Sequence, residues 1–213
     1  MSDLKPDTTN QIRPATLRDA VLLAQLADLA GEGLPAYLWS QLTVGDQTPL
    51  EVGIQRAVRD DGSFSWRNAQ VAWLGGKAVG TVIDYDLDAA ELPGSEVPEY
   101  LHPLCALELS AVGSRYINIL AVLPEMRRQG VARALIEHVA ARTDRDLTLI
   151  VRSGNAPALA FYESEGFDQE KAIPVGRGGP CDLTGRWCLM RRPSGSRVIS
   201  ENQNTVDRRR IPA

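Results

Sequence analysis

Asn118-Ile119-Leu120-Ala121-Val122-Leu123-Pro124-Glu125-Met126-Arg127-Arg128-Gln129-Gly130-Val131-Ala132-Arg133 is the stretch on which the fold turns. Together with Tyr116 and Ile117 it starts as a nearly continuous apolar run, the pattern of a strand in the centre of a sheet. Pro124 closes that strand, since it has no N–H to give a ladder. Gly130 then opens a helix in which Val131, Leu135 and His138 or Val139 share a face. A loop between a buried strand and a helix can aim several free backbone N–H groups at an anion, helped by the helix dipole. Gly130 allows close backbone approach, Ala132 keeps the first turn slim, and Arg127, Arg128 and Arg133 add positive charge. The chemistry indicated is pyrophosphate binding. The loop lacks the Gly-Lys-Ser/Thr ending of a Walker loop and is not G-x-G-x-x-G. Alone, R-x-x-G-x-A also fits an ordinary helix start with solvated arginines.

Working outward, residues 147–151 form another apolar strand. Asn155 caps a short helix with Pro157 near its first turn and Gly166 just past its end. Two final strands are expected at 171–175 and 186–191. Upstream, Gln70 to Leu74 and Ala78 to Tyr85 read as a hairpin joined by Gly75-Gly76. The run from Gln11 to Pro14 is a short strand, and a helix opens at Thr16 with Asp19 as a capping-box-like partner. Leu22, Leu26 and Leu29 recur there at helical spacing before Gly31 and Gly33. A second helix containing Tyr37, Leu38, Trp39 and Leu42 is expected, and Pro103 opens one holding Leu104, Leu107 and Glu108.

The chain has 213 residues, 44% hydrophobic and 23% charged, enough for one sizeable core. Residues 1–10 read as a loose polar leader, 11–193 as the domain, and 194–213, rich in Ser, Asn and Arg, as a disordered tail. A formal net charge of −4 disfavours nucleic acid and anionic membrane as partners. The cysteines Cys105, Cys181 and Cys188 have no metal-binding spacing, so no metal is expected. The start shows no secretory signal and no stretch is apolar enough to span a bilayer, which points to a cytoplasmic protein.

The block from Asn118 to Arg133 closely resembles the core motif of the GNAT acetyltransferase superfamily, Leu-Ala-Val, Pro, then Arg-Arg-x-Gly-x-Gly/Ala. Asn155-Ala156-Pro157-Ala158-Leu159-Ala160-Phe161-Tyr162-Glu163-Ser164-Glu165-Gly166-Phe167 resembles its second motif, N-x-x-A-x-x-x-Y-x-x-x-G-F. The resemblance is strong over residues 116–167 and weaker back to about Ile12. It implies an α/β (α+β) GNAT fold, a mixed, mostly antiparallel sheet of six or seven strands flanked by helices. It implies acetyl-CoA as co-substrate and transfer of its acetyl group to an amine by direct attack. Leu120, Ala121 and Val122 would pair with the pantetheine arm. Arg127, Arg128, Gln129, Gly130, Val131, Ala132 and Arg133 would hold the pyrophosphate. Asn155 would contact the cofactor, and Tyr162 would lie beside its sulfur as general acid. Asn155 and Tyr162 are seven residues apart, close to two helical turns, so they can face the same way. Phe161 is the better candidate for packing.

A glutamate serving as base in ribosomal-protein acetyltransferases of this superfamily has Ile150 in its place here. Glu108, Asp84 and Asp86 are candidate substitutes, and Asn118 could order a water. Trp66, Arg67 and Tyr85 are candidate acceptor-site residues. The acidic insertion with Asp86, Asp88, Glu91, Glu96 and Glu99 would favour a cationic acceptor, or else is a solvated loop. The acceptor is a small-molecule amine or a peptide, and the protein a monomer or homodimer. Two other functions fit the same residues: a non-catalytic acyl-CoA sensor of GNAT fold, and a protein or peptide N-terminal acetyltransferase.

Overall fold

The computed structural model describes residues 11–90, 93–94, 97–180 and 183–196. The expected leader, residues 197–213 of the expected tail, Glu91, Glu96 and Cys181 lie outside them.

Seven strands form one sheet: β1 (Gln11–Pro14), β2 (Ala69–Leu74), β3 (Lys77–Asp86), β4 (Arg115–Val122), β5 (Leu147–Arg152), β6 (Asp168–Pro174) and β7 (Arg186–Arg192). Their spatial order is β1-β2-β3-β4-β5-β7-β6, which puts β4 fourth of seven, central as its apolar run requires. Only β4 and β5 run parallel; every other neighbouring pair is antiparallel.

Among the described residues six helices cover the sheet: α1 (Ala20–Ala30), α2 (Leu34–Ser40), α3 (Pro49–Ala57), α4 (His102–Ala111), α5 (Val131–Ala140) and α6 (Ala156–Ser164). On one face Val131, Leu135, Ile136 and Val139 of α5 pack with Val82, Ile117, Val122, Leu149 and Met190, and α6 lies against the same cluster. The opposite face carries α1, α2 and α3 over Val71, Ile83 and Ile119, and α4 over Tyr116, Trp187 and Leu189. Alternation along each strand separates these two sets.

Three expectations about the first helices change. Thr16 and Asp19 do form a capping box, but it starts a 3-10 turn (Leu17–Asp19) before α1. The buried face of α1 is Ala20, Leu23, Ala24, Leu26 and Ala27, whereas Leu29 is 36% exposed. With apolar residues almost all round this helix, periodicity does not single out one stripe, and the sheet selects it. The helix α2 ends before Leu42, which is exposed. Beyond it, Thr48 and Glu51 form a second capping box with Pro49 at the start of α3. Trp39 lies flat on Gly53 of that helix, where any Cβ would be 2.5 Å from the ring.

Ser194 donates its backbone N–H to Asp146 at 2.9 Å and Arg192 Nη2 donates to the Ser196 carbonyl at 2.7 Å. Residues 194 and 196, at the start of the expected tail, thus bond to the body.

Candidate functional site

The strand β4 pairs with β3 along its length, from Asp86↔Arg115 to Gly80↔Val122, skipping one residue at Asn118. That skip is a β-bulge, which sharpens local twist and redirects the strand. On its other side β4 meets β5 only at Arg115↔Leu147, Tyr116↔Thr148 and Ile117↔Leu149. Beyond Ile117 the two parallel strands part, and β5 continues against β7 as far as Arg152↔Trp187. Leu120, Ala121 and Val122 therefore present a strand edge with no strand partner among the described residues. Such an edge is a template for another extended chain.

Past this edge, the 3-10 turn Pro124–Met126 leads into the arginine loop. Arg128 has φ 64° and Gly130 φ 77°, both left-handed, on either side of Gln129. For Arg128 that conformation costs about 1–2 kcal/mol, a strain of the kind held at ligand sites. Left-handed residues next to a helix start gather consecutive N–H groups into an anion-binding concavity. The first bond of α5 runs from the Ala134 N–H to the Gly130 carbonyl at 3.0 Å, so helix geometry leaves the amides of Val131, Ala132 and Arg133 without intrahelical acceptors. Gly80 on β3 lets this helix start sit close: a Cβ there would lie 2.9 Å from the Ala121 carbonyl oxygen and 3.3 Å from Val131. Arg127 leans back on the Val122 carbonyl at 3.4 Å. Arg133 differs from the expectation that its side chain serves the anion. Its Nε donates to Glu165 at 2.8 and 3.1 Å.

Asn155 caps α6 as expected, its Oδ1 accepting from the Ala158 N–H at 3.2 Å. Its side-chain NH₂ still has two protons to donate. Tyr162 packs between Phe161, ring centroids 5.4 Å apart, and Phe167, 5.8 Å apart and edge-on. Burial pushes its phenol up to about 12, so the hydroxyl holds its proton across the neutral range. The expected division, with Phe161 in the core and Tyr162 outside it, is not sharp. Both are half-buried against the same cluster, and full burial falls to Phe167.

The other face of the sheet carries the candidate base. Glu108 on α4 is half-buried, and desolvation raises its carboxyl above the usual carboxylate range. Its charge acts on Tyr85, Tyr116 and Cys105, which places all four groups together. Tyr85 and Tyr116 stand edge-on with centroids 5.7 Å apart. Ile150 packs into this same apolar cluster with Trp187 and Leu34. Asp84 and Asp86 do not share the arrangement. Asp84 is fully buried and takes bonds from Arg115 Nε at 2.6 Å and Arg142 Nη2 at 3.0 Å. Asp86 pairs with Arg115 at 3.2 Å, and Asp88 with Arg145 at 2.6 Å. Asp86 and Asp88 of the acidic stretch, and Asp84 just before it, are thus each paired with a guanidinium group. Arg67 stacks on Trp66 at 4.6 Å and pairs with Asp60 at 2.8 Å, a packing arrangement. His138 accepts from Arg142 at 2.9 Å, since a guanidinium can only donate. Burial, then Arg142, lowers its pKa.

The family model for the acetyltransferase (GNAT) family matches residues 32–167. The chain belongs to that family. Members of that family use acetyl-CoA. The bS18-alanine N-acetyltransferase of Escherichia coli K12 is 44% identical over 54 residues, 24% of this chain and 36% of that protein. The chain thus spans about a third of the length of the curated relatives it matches. An N-acetyltransferase from Staphylococcus aureus Mu50 shares the fold at a TM-score of 0.61 and 14% identity, over 85% of this chain and 99% of that one. Arabidopsis thaliana Naa50, solved with the bisubstrate analogue CoA-Ac-MVNAL, does so at 0.50 and 16%, over 86% and 97%.

Within this GNAT domain three features had no mark in the sequence reading. Gly80 could have been suspected as a glycine inside a strand. The Arg133–Glu165 pair and the Arg152–Glu32 pair, in which Arg152 Nε donates at 2.7 Å, join residues far apart in the chain. No short-range pattern announces them. No helix of the described residues is long and apolar enough to cross a membrane.

Proposed function

We propose that this GNAT protein transfers an acetyl group from acetyl-CoA to an amine by direct attack, without an acyl-enzyme. The observation that carries the reading is the parting of β4 from β5 beside the Gly130 helix start, with Tyr162 on the next helix. The open edge of Leu120, Ala121 and Val122 suits the amides of a pantetheine arm. The amides of residues 129–133, with Arg127 and Arg128, suit a pyrophosphate. Asn155 supplies a further donor beside that edge.

Acetyl-CoA supplies the activated thioester; the chain's part is to move two protons. Glu108, directly or through water, takes one from the attacking amine, and burial raises its pKa, which makes the carboxylate a stronger base than an exposed one. An N–H near Val122 faces the negative charge that builds on the carbonyl oxygen. Tyr162 gives its proton to the departing sulfur; because burial penalises the phenolate, that proton leaves only as charge develops beside it. The new C–N bond replaces the C–S bond.

A protein or peptide N-terminus is the acceptor class favoured by the similarity to the bS18-alanine N-acetyltransferase. Ile150 counts against it unless Glu108 supplies the base. The test is a CoA-release assay with acetyl-CoA against amines, polyamines, amino acids and peptides, the last including an N-terminal alanine. Release with free amines but not peptides rejects the peptide class. Tight CoA binding without release on any acceptor supports the sensor instead.

A further inference from the structure

We propose that Glu165 is a positioning residue: by holding Arg133 it ties the Tyr162 helix to the helix start that receives the pyrophosphate, and withdraws the Arg133 guanidinium from phosphate binding. The inference rests on the acetyl-CoA reading above.

Glu165 follows α6 directly and is 1% exposed. A carboxylate so buried needs a matched partner, and the Arg133 guanidinium gives it a forked one, Nε at 2.8 Å and Nη2 at 2.8 Å from the same oxygen. Arg133 lies in the first turn of α5, within three residues of Gly130. At the other end, the Glu165 N–H donates to the Phe161 and Tyr162 carbonyls, both at 3.0 Å. The Phe167 N–H also donates to Tyr162, and its ring is the edge-on neighbour of the phenol. An unbroken run of contacts therefore joins the α5 start to the Tyr162 backbone, and the carboxylate lies in its middle. Of the loop arginines, Arg127 and Arg128 make no ion pair among the described residues. They are the loop's available cations; Arg133 is already spoken for.

The test uses the full chain with Glu165→Gln, Arg133→Gln and the double variant. Arg133→Gln alone strands a buried carboxylate, so the double variant, which leaves no charge at the pair, is the folded comparison, checked by its melting temperature. Steady-state kcat and KM for acetyl-CoA are read beside calorimetric affinities for CoA and for pantetheine, which lacks the pyrophosphate. Glu165→Gln should lower kcat about tenfold or more, as misplacement of a reacting group does. CoA and pantetheine affinities should each shift by less than about threefold. The double variant should be no slower than Glu165→Gln, because the two residues act as one unit. An unchanged kcat in Glu165→Gln overturns the proposal. So does a roughly tenfold loss of CoA affinity in the double variant with pantetheine unaffected, which would make Arg133 a phosphate ligand. Failure of the wild type to bind CoA, or to turn over, overturns the functional reading and this inference together.

Discussion

Residues 115–117 of β4 have strand partners on both sides, while residues 119–122 keep only β3. The charges divide in the same way. At the closed end Arg115, Arg142 and Arg145 are each matched to Asp84, Asp86 or Asp88. At the open end Arg127 and Arg128 have no carboxylate among the described residues. One strand thus carries a finished, internally neutralised end and an end whose edge has no second strand and whose nearby arginines have no carboxylate among the described residues. The open end is where we place the proposed ligand site, because it combines unfilled bonding capacity with a rigid, satisfied frame. A count of charges along the chain does not reveal it, as the aspartates of the acidic stretch demonstrate.

The contrast breaks most completely if the open end is closed by charge. Gly130→Glu puts a carboxylate and a Cβ where the amides converge, and calorimetry should find no CoA binding. The left-handed backbone adds about 1–2 kcal/mol of strain, so a folded melting curve must accompany the result. Unchanged affinity in the folded variant would move the pyrophosphate elsewhere.

Tyr162→Phe keeps the ring packing and removes only the hydroxyl. The expected result is a kcat lower by about 10²–10⁴ with KM for acetyl-CoA nearly constant, since the proton matters in the transition state alone. A rate within a few-fold of wild type, where chemistry limits turnover, would take Tyr162 out of the mechanism.

Glu108→Gln should lower kcat by about 10² and remove the acid limb of the rate profile. In the wild type that limb should lie above the ordinary carboxylate range, because burial raises the pKa and only the ionised form accepts a proton. The same shift bears on stability. The folded state binds this proton more tightly than the unfolded chain, so stability is lost as pH rises from the unfolded to the folded pKa. Glu108→Gln should flatten that stretch of the melting-temperature profile; an unaltered profile would deny the shift.

Gly80→Ala sharpens the comparison sterically. Its Cβ meets the Ala121 carbonyl oxygen and Val131, so overpacking of about 1–3 kcal/mol should appear in urea unfolding, with KM for acetyl-CoA raised as the α5 start is pushed from the edge. The smallest effect belongs to the closed end. Asp86→Asn should change KM for cationic and neutral amines alike and by less than about fivefold, since a partly exposed ion pair is worth at most about 1 kcal/mol. A selective loss for the cationic amine would return Asp86 to the acceptor site.

The local features of this protein were settled by its sequence. The apolar run of β4, the Pro124 stop, the Gly130 helix start, the Asn155 cap and the Gly75-Gly76 hairpin all depend on backbone preferences within a few residues, so they are legible in one dimension. The second capping box, at Thr48 and Glu51, was equally legible and was missed. Tertiary structure alone decided which stripe of α1 is buried, because an all-round apolar helix takes its face from the sheet it meets. It alone decided that Asp84 is a buried partner of two arginines while Glu108 stands among Tyr85, Tyr116 and Cys105. It also decided that Arg133 turns to Glu165. Each of these depends on which distant groups meet at a few ångströms, where burial and pairing set the charge state, and no local spacing carries that information.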